Sequence, residues 1–337
     1  MSKSTITIND IARELNVAPS TVSRALNNSP RISEATKERI REKAMEIGYD
    51  LNMVASSLSR QRTNIIGVII PFINNHFFSL VVSGIEDLAV KSGFRIIIAQ
   101  TYDSVVKEEE ALKMFSSARV DGIIACLSVE TRDISHFKRI KKVGIPIVLF
   151  DRVSFDIDCP KVLVDNYDGA FQAVSHLIKG GCERIAYLGG PSNCRIFDER
   201  AKGYKDAVKK NGLQLLPGYS FSTDLSERDV HEAMKLWLGK YKAPDAIFTS
   251  TGNQGLMVTK LAIDAGFKIP DDLSIISFGD SPSHEYIVPS LSAIEMPGYD
   301  IGRSSMEFIE NEIDGKKGDS RTIIKPILLV IRSSSFR

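Results

Sequence analysis

TINDIARELNVAPSTVSRALNNSPRISEATKERI, residues 7–40, is the stretch on which the fold turns. It opens on Thr7-x-x-Asp10, a capping pattern in which two side chains meet the free backbone N–H groups at a helix start. Ile8, Ile11, Ala12 and Leu15 then fall on one face at helical spacing. Asn16-Val17-Ala18 reads as a tight turn. Pro19 suits the first turn of a second helix, where its missing N–H is not needed. That helix turns Val22, Ala25 and Leu26 inward and leaves Ser20, Thr21, Ser23 and Arg24 outward or on its flanks. A third helix is expected from Ser33, with Glu34 near its positive end, toward Ile47 before Gly48. Two short helices joined by a tight turn and braced by a third make a helix-turn-helix. The same pattern also fits a plain three-helix bundle that binds nothing.

The texture changes near residue 62. Ser56–Asn64 is a polar, Ser/Arg-rich connector, and beyond it apolar β-rich runs alternate with amphipathic helices. Strands are expected at 65–70, 94–99, 122–127 and 145–150, with helices at 79–91, 108–117 and 134–143 between them. The rhythm restarts after Asp165, with strands at 184–188, 246–250 and 273–277 and helices at 169–179, 199–211, 227–238 and 256–265. Unbroken Ile/Val runs mean strands covered on both faces, hence parallel sheets built from βαβ units. Two such sheets in succession imply two lobes and a cleft. Ligands of open α/β sheets bind beyond the carboxyl ends of the strands. Here those ends are Pro71–Phe78, Leu127–Glu130, Asp151, Gly189–Arg200, Ser250–Gly252 and Gly279–Ser281.

At 337 residues the chain exceeds one compact domain. It is 43% hydrophobic and 25% charged, a globular balance, with a net charge of only +1. The charge is unevenly placed: residues 1–62 hold ten Lys/Arg and seven Asp/Glu, while the rest hold 33 and 35. The four cysteines, Cys126, Cys159, Cys182 and Cys194, form no C-x-x-C pair and no cluster with the five scattered histidines. They read as reduced thiols, with no disulfide framework, no structural metal and no cofactor. The first ten residues lack an apolar signal core, and no run approaches the ~20 apolar residues of a membrane helix. A cytoplasmic location follows as an expectation.

The opening stretch, IxDIARELNVxPSTVSRALNxSPRISEATKERI, resembles the DNA-binding head of the LacI/GalR repressor family nearly residue for residue. The likeness continues through Gly48-Tyr49, Asn52, Ala55 and Ser57-Leu58 into Ile66-Gly67-Val68 and Asn75-x-Phe77-Phe78. It goes on through Arg119–Ile124, Val164-Asp165-Asn166, Arg184–Pro191 and Pro289-x-Leu291. The resemblance implies an α/β chain in three parts: a helix-turn-helix head at 1–50, a hinge helix and linker at 51–62, and a two-lobed, periplasmic-binding-like domain at 63–337 for effector binding and dimerisation. It implies a homodimer that represses transcription from palindromic operator DNA and answers to a small effector.

By the same resemblance Pro19, Ser20 and Arg24 meet base edges. Arg24 suits a guanine, whose O6 and N7 one guanidinium can take together. Thr7, Thr21, Ser23 and Asn27 fit phosphate contacts that set register, or, for Thr21 and Ser23, a merely solvated helix face. Asn52, Ala55 and Leu58 fall in the hinge that the family orders in the minor groove, with Leu58 as the apolar wedge between base pairs. Ser56 and Leu51 stand where the family often has Arg and Pro.

In the cleft, Phe77, Ser128, Asp151, Asp165 and Arg200 match lining positions, and Arg200 matches the arginine that grips a ligand oxygen. Asp151 and Asp165 read equally well as strand-end caps. Thr251-Gly252 replaces an Asn-Asp pair, with Thr251 kept as an effector candidate. Gly279 replaces a carboxylate, leaving Asp280 beside it as a further effector candidate, and Leu225 stands where a stacking aromatic is common. Trp237, between Leu236 and Leu238, reads as packing. A sugar is the effector the family implies; a different metabolite or a protein corepressor fits the departures. An enzyme on a doubly wound fold is the rival class, but no G-x-G-x-x-G, P-loop or G-x-S-x-G stands in suitable context. A plain ligand-binding protein would not need the head.

Overall fold

In a computed structural model the chain divides into two compact units, Met1–Asn64 and Ile65–Arg337. The structure describes residues 6–26, 29–49, 62–192, 194–239, 243–316 and 321–336. The candidates Asn27, Asn52, Ala55 and Leu58 lie outside the described residues.

The first unit holds α1 (Ile8–Leu15), α2 (Pro19–Leu26) and α3 (Glu34–Glu46). The Asp10 carboxylate accepts from the Thr7 N–H at 2.8 Å and from its hydroxyl at 2.7 Å, which fixes the start of α1. Asn16 ends that helix at φ +52°, a left-handed turn that asparagine tolerates better than most residues. The turn lets Ile11 and Ala12 pack on Val22 and Ala25, with Ile40 and Ala44 of α3 closing the core. Burying these small apolar faces holds together helices too short to stand alone.

The second unit begins with β1 (Ile65–Ile70), α4 (His76–Lys91), β2 (Arg95–Gln100), α5 (Val105–Ala118), β3 (Gly122–Ala125), α6 (Ser135–Lys142), β4 (Ile147–Phe150) and β5 (Lys161–Val164). It continues with α7 (Asn166–Lys179), β6 (Ile185–Gly189), α8 (Arg195–Lys210), β7 (Ser220–Ser222), α9 (Glu227–Leu238), β8 (Ala246–Thr249) and α10 (Gly252–Asp264). After these come β9 (Ser274–Phe278), α11 (Pro282–Tyr286), β10 (Ser292–Glu295), α12 (Gly298–Ile313), β11 (Thr322–Lys325) and β12 (Leu328–Val330).

Two six-stranded sheets result, ordered β11-β5-β4-β3-β1-β2 and β12-β10-β9-β8-β6-β7. Among the described residues every strand pairing is parallel except β10 with β12. The lobes are therefore not simply successive, as the sequence suggested. The chain enters the second lobe after β5, returns for α12 and β11, and crosses again to β12. Three short crossings join the lobes, an arrangement suited to hinge rotation. The return is fixed by helix packing. An alanine methyl at Gly84 of α4 would stand 2.1 Å from the Tyr299 carbonyl oxygen, and one at Gly302 of α12 equally close to that of Val81. Only glycine permits that approach.

Candidate functional site

Helix α2 carries the candidate DNA-facing groups. Val22 and Ala25 point into the core, while Pro19, Ser20 and Arg24 are exposed. Thr21 and Ser23 lie half-buried on its flanks, and Thr7 is exposed at the head of α1 with its hydroxyl on Asp10. Among the described residues no carboxylate forms an ion pair with Arg24. A cation, hydroxyls and no acid on one exposed helix face is a surface that can donate to phosphates and base edges.

In the second unit a cavity of ≈ 320 Å³ opens between two loops of the first lobe, 127–134 and 151–156, and the start of α8 in the second. Of the expected effector residues, Ser128 and Asp151 line it. Ser128 is held from behind: its N–H donates to Glu108 Oε2 at 2.6 Å and its hydroxyl to Thr101 Oγ1 at 3.1 Å. Glu108 is fully buried and also accepts from the Thr131 hydroxyl at 2.7 Å, with His136 Nε2 at 2.8 Å. Asp151 sits buried at φ +56° just past β4, with the Cys126 thiol 3.8 Å from its Oδ2. Burial pushes its carboxyl pKa up, against the pull of the Arg152 and Arg200 guanidinium groups.

Among the wall residues, Arg152 and Phe155 lie outside every strand-end segment expected from the sequence, whereas Cys194, Arg195 and Glu199 fall within Gly189–Arg200 without being singled out there. Asp103 ties the two first-lobe loops together. Its Oδ1 accepts from the Val129 N–H at 3.1 Å and from Arg152 Nη1. Asn166 was visible only as part of Val164-Asp165-Asn166. For Arg152 the sole signal was its place after Asp151.

The other expected effector residues are engaged in the body of the protein. Phe77 is buried in the first-lobe core, edge-on to Phe78 at 5.2 Å. Asp165 is exposed and caps α7, accepting from the Asp168 N–H at 2.8 Å, the strand-end capping that was its alternative reading. Thr251 caps α10 through the Gln254 N–H at 3.4 Å. Arg200 is buried, donating from Nε to Asn166 Oδ1 at 2.9 Å and from Nη1 to the Ser250 carbonyl at 2.7 Å. Its Cζ stands 3.7 Å from the centroid of the Phe278 ring, and burial lowers its pKa to about 10, leaving it cationic at neutral pH. It is absent from the cavity wall and adjoins it through Asn166. Gly279, at φ +95°, carries its carbonyl within 2.7 Å of a methyl placed at Gly252, so the two glycines that replace family side chains pack on each other. Trp237 is buried, its indole N–H on the Gly218 carbonyl at 2.8 Å.

Asp280 is bound from two sides. Arg332 Nη1 and Nη2 donate to its two oxygens at 3.0 and 2.7 Å, and His284 Nδ1 stands 3.1 Å away. Burial alone would raise its pKa, but the His284 and Arg332 hydrogen bonds and charges hold it at about 2. A carboxyl depressed in the fold contributes stability above its unfolded pKa and loses it as pH falls through the folded value. The contribution, about 2 kcal/mol, should therefore disappear between about pH 4 and pH 2. Urea unfolding across that range should show a shallower pH dependence in Asp280→Asn than in wild type. Identical slopes would remove Asp280 from this role.

Comparison with known proteins bears on both units. Residues 7–52 match the model of bacterial regulatory proteins of the lacI family, and residues 174–335 match the periplasmic binding protein-like domain. Catabolite control protein A of Priestia megaterium is 32% identical over 331 residues, 98% of this chain and 99% of that one. The ribose operon repressor of Halalkalibacterium halodurans is 30% identical over 329 residues, 98% of this chain and 97% of that one. The lac repressor dimer bound to operator and the anti-inducer ONPF is 22% identical and shares the fold, with a TM-score of 0.86 over 99% of this chain and 100% of that one. With its helix-turn-helix head and two-lobed periplasmic-binding-like unit, the chain belongs to the lacI family of DNA-binding transcription regulators.

Proposed function

We propose that this protein is a repressor that binds an inverted-repeat operator as a homodimer and is switched by a small polar effector in the cleft. The observation that carries the reading is the α2 face, where Arg24 and Ser20 are exposed because Val22 and Ala25 are buried. Arg24 reads a guanine, Pro19 and Ser20 lie against neighbouring base edges, and Thr7, Thr21, Ser23 and Asn27 hold phosphates. Asn52, Ala55 and Leu58 serve the minor groove, with Leu58 as the wedge. Two heads related by a two-fold axis need two half-sites in inverted repeat. The protein works in the cytoplasm, carries no cofactor and catalyses no reaction.

The cleft supports the effector part of the reading. A buried carboxyl at Asp151 in the cavity wall, with the Cys126 thiol 3.8 Å from its Oδ2, favours a ligand that donates hydrogen bonds, as sugar hydroxyls do. Ser128 and Asn166 offer further polar contacts, and Arg200 holds Asn166 in place. A ligand shifts the two lobe arrangements only by binding one better than the other. Thermal-shift measurements against sugars, sugar phosphates, nucleobases and nucleosides test this, with Asp151→Asn alongside. An effector should raise the melting temperature by mass action, change operator affinity, and lose both effects in the variant. Undiminished binding in Asp151→Asn would move the site elsewhere. No binding in any class would favour a protein corepressor instead.

A further inference from the structure

Phe155 lies on the loop between β4 and β5, in the wall of the cavity, and is 52% exposed. Two cations approach its ring. Lys161, buried in the same lobe, places Nζ 5.2 Å from the ring centroid while donating to the carbonyls of Ile157 and Cys159 at 2.9 Å each. Arg195 comes from the other lobe, as the first residue of α8, with its Cζ 4.4 Å from the centroid. The lobes touch nearby a second time, where Val129 of the first packs on Cys194, Ile196 and Phe197 of the second.

The Phe155–Arg195 contact has the properties of a reversible fastening. Lys161 is fixed by backbone carbonyls, so the ring keeps one cation whatever the second lobe does. Arg195 Nε donates to Glu199 Oε1 at 2.7 Å within its own helix. When the lobes part, the guanidinium keeps that carboxylate and loses only the ring. Both groups are solvated, so neither is stranded as an unpaired buried charge. A contact of this kind is weak enough to yield to a ligand and specific enough to favour one arrangement.

We propose that Phe155 and Arg195 form a latch between the lobes at the wall of the effector cavity, holding the lobe arrangement described here against the alternative one. The inference rests on the reading of the cleft as a two-state switch. Distances between spin labels test it. Lys138→Cys on α6 and Lys205→Cys on α8 are exposed sites, whereas the four native cysteines are buried and stay unlabelled. Labelled chain is diluted into excess unlabelled chain, so that distances within one chain are read. Wild type should give two distance populations. Phe155→Ala and Arg195→Met should each move their ratio away from the present arrangement by about two- to fivefold, the worth of an exposed cation–π contact. The double variant should go no further than either single one, and Phe155→Tyr, which keeps a ring, should stay near wild type. Melting temperatures confirm that each variant is folded. Unchanged ratios in both single variants, or additive effects in the double, would overturn the latch alone. One fixed wild-type distance, with and without a selected operator duplex, would overturn the two-state reading and the latch with it.

Discussion

Replacing Arg200 with alanine is expected to destabilise the two-lobed unit by about 2–4 kcal/mol, because acceptors lose their donor and a cavity opens. The guanidinium is buried between Asn166 Oδ1, the Ser250 carbonyl and the face of Phe278. Its removal strands two acceptors at the junction of α7, β8 and α8. It also removes a charge that opposes the upward shift of the Asp151 carboxyl, so that group should protonate more readily. Arg200→Lys is no remedy, since one ammonium cannot reproduce the forked geometry and the stacking together. Urea unfolding of the intact chain reads the first effect. Full stability in Arg200→Ala combined with loss of effector binding would mean that the guanidinium serves the ligand directly, as the family resemblance implied, and not the scaffold.

Arg24→Ala is expected to weaken operator binding by about 1–3 kcal/mol and to relax the preference at one base pair in each half-site. The side chain stands exposed on α2, away from Val22 and Ala25, so its loss should leave the head folded. Titration against a set of operators altered at single positions separates the two possible roles. A base contact makes the loss specific to one position. An equal loss on every duplex, with a salt slope reduced by about one, would make Arg24 a phosphate contact instead.

The head was legible because its signals are local. The Thr7–Asp10 cap, Pro19 at the start of α2 and the Ile11/Val22/Ala25 core all declare themselves within a few residues. So were the long buried strands, such as Ile65–Ile70, whose apolar runs admit few other readings. Helix ends were less secure: α4 begins at His76 and not near Ser79, because the Asn75 side chain accepts the Phe77 N–H at 3.0 Å. Strands β7 and β12 are three residues long, too short to show a period. Helix α12 carries Gly298 and Gly302, which argue against a helix in isolation. Their purpose, contact with α4 more than two hundred residues earlier, exists only in the fold. The cleft was the least legible part. In the sequence nothing near Asp280 announces its partner, Arg332, which lies 52 residues on and binds both its oxygens. Arg152 and Arg195 gained meaning only from Asp103 and Phe155, brought to them by the chain's path.

The proposed function stands or falls on symmetric, sequence-specific DNA reading by the whole chain. Selection of duplexes from a randomised pool by the intact protein measures it directly. The expected outcome is an enriched inverted repeat of two half-sites, bound with an affinity that falls steeply with salt yet stays well above that for unselected DNA. Enrichment of no sequence, or of a single unrepeated half-site, with all binding lost alike as salt rises, would contradict it.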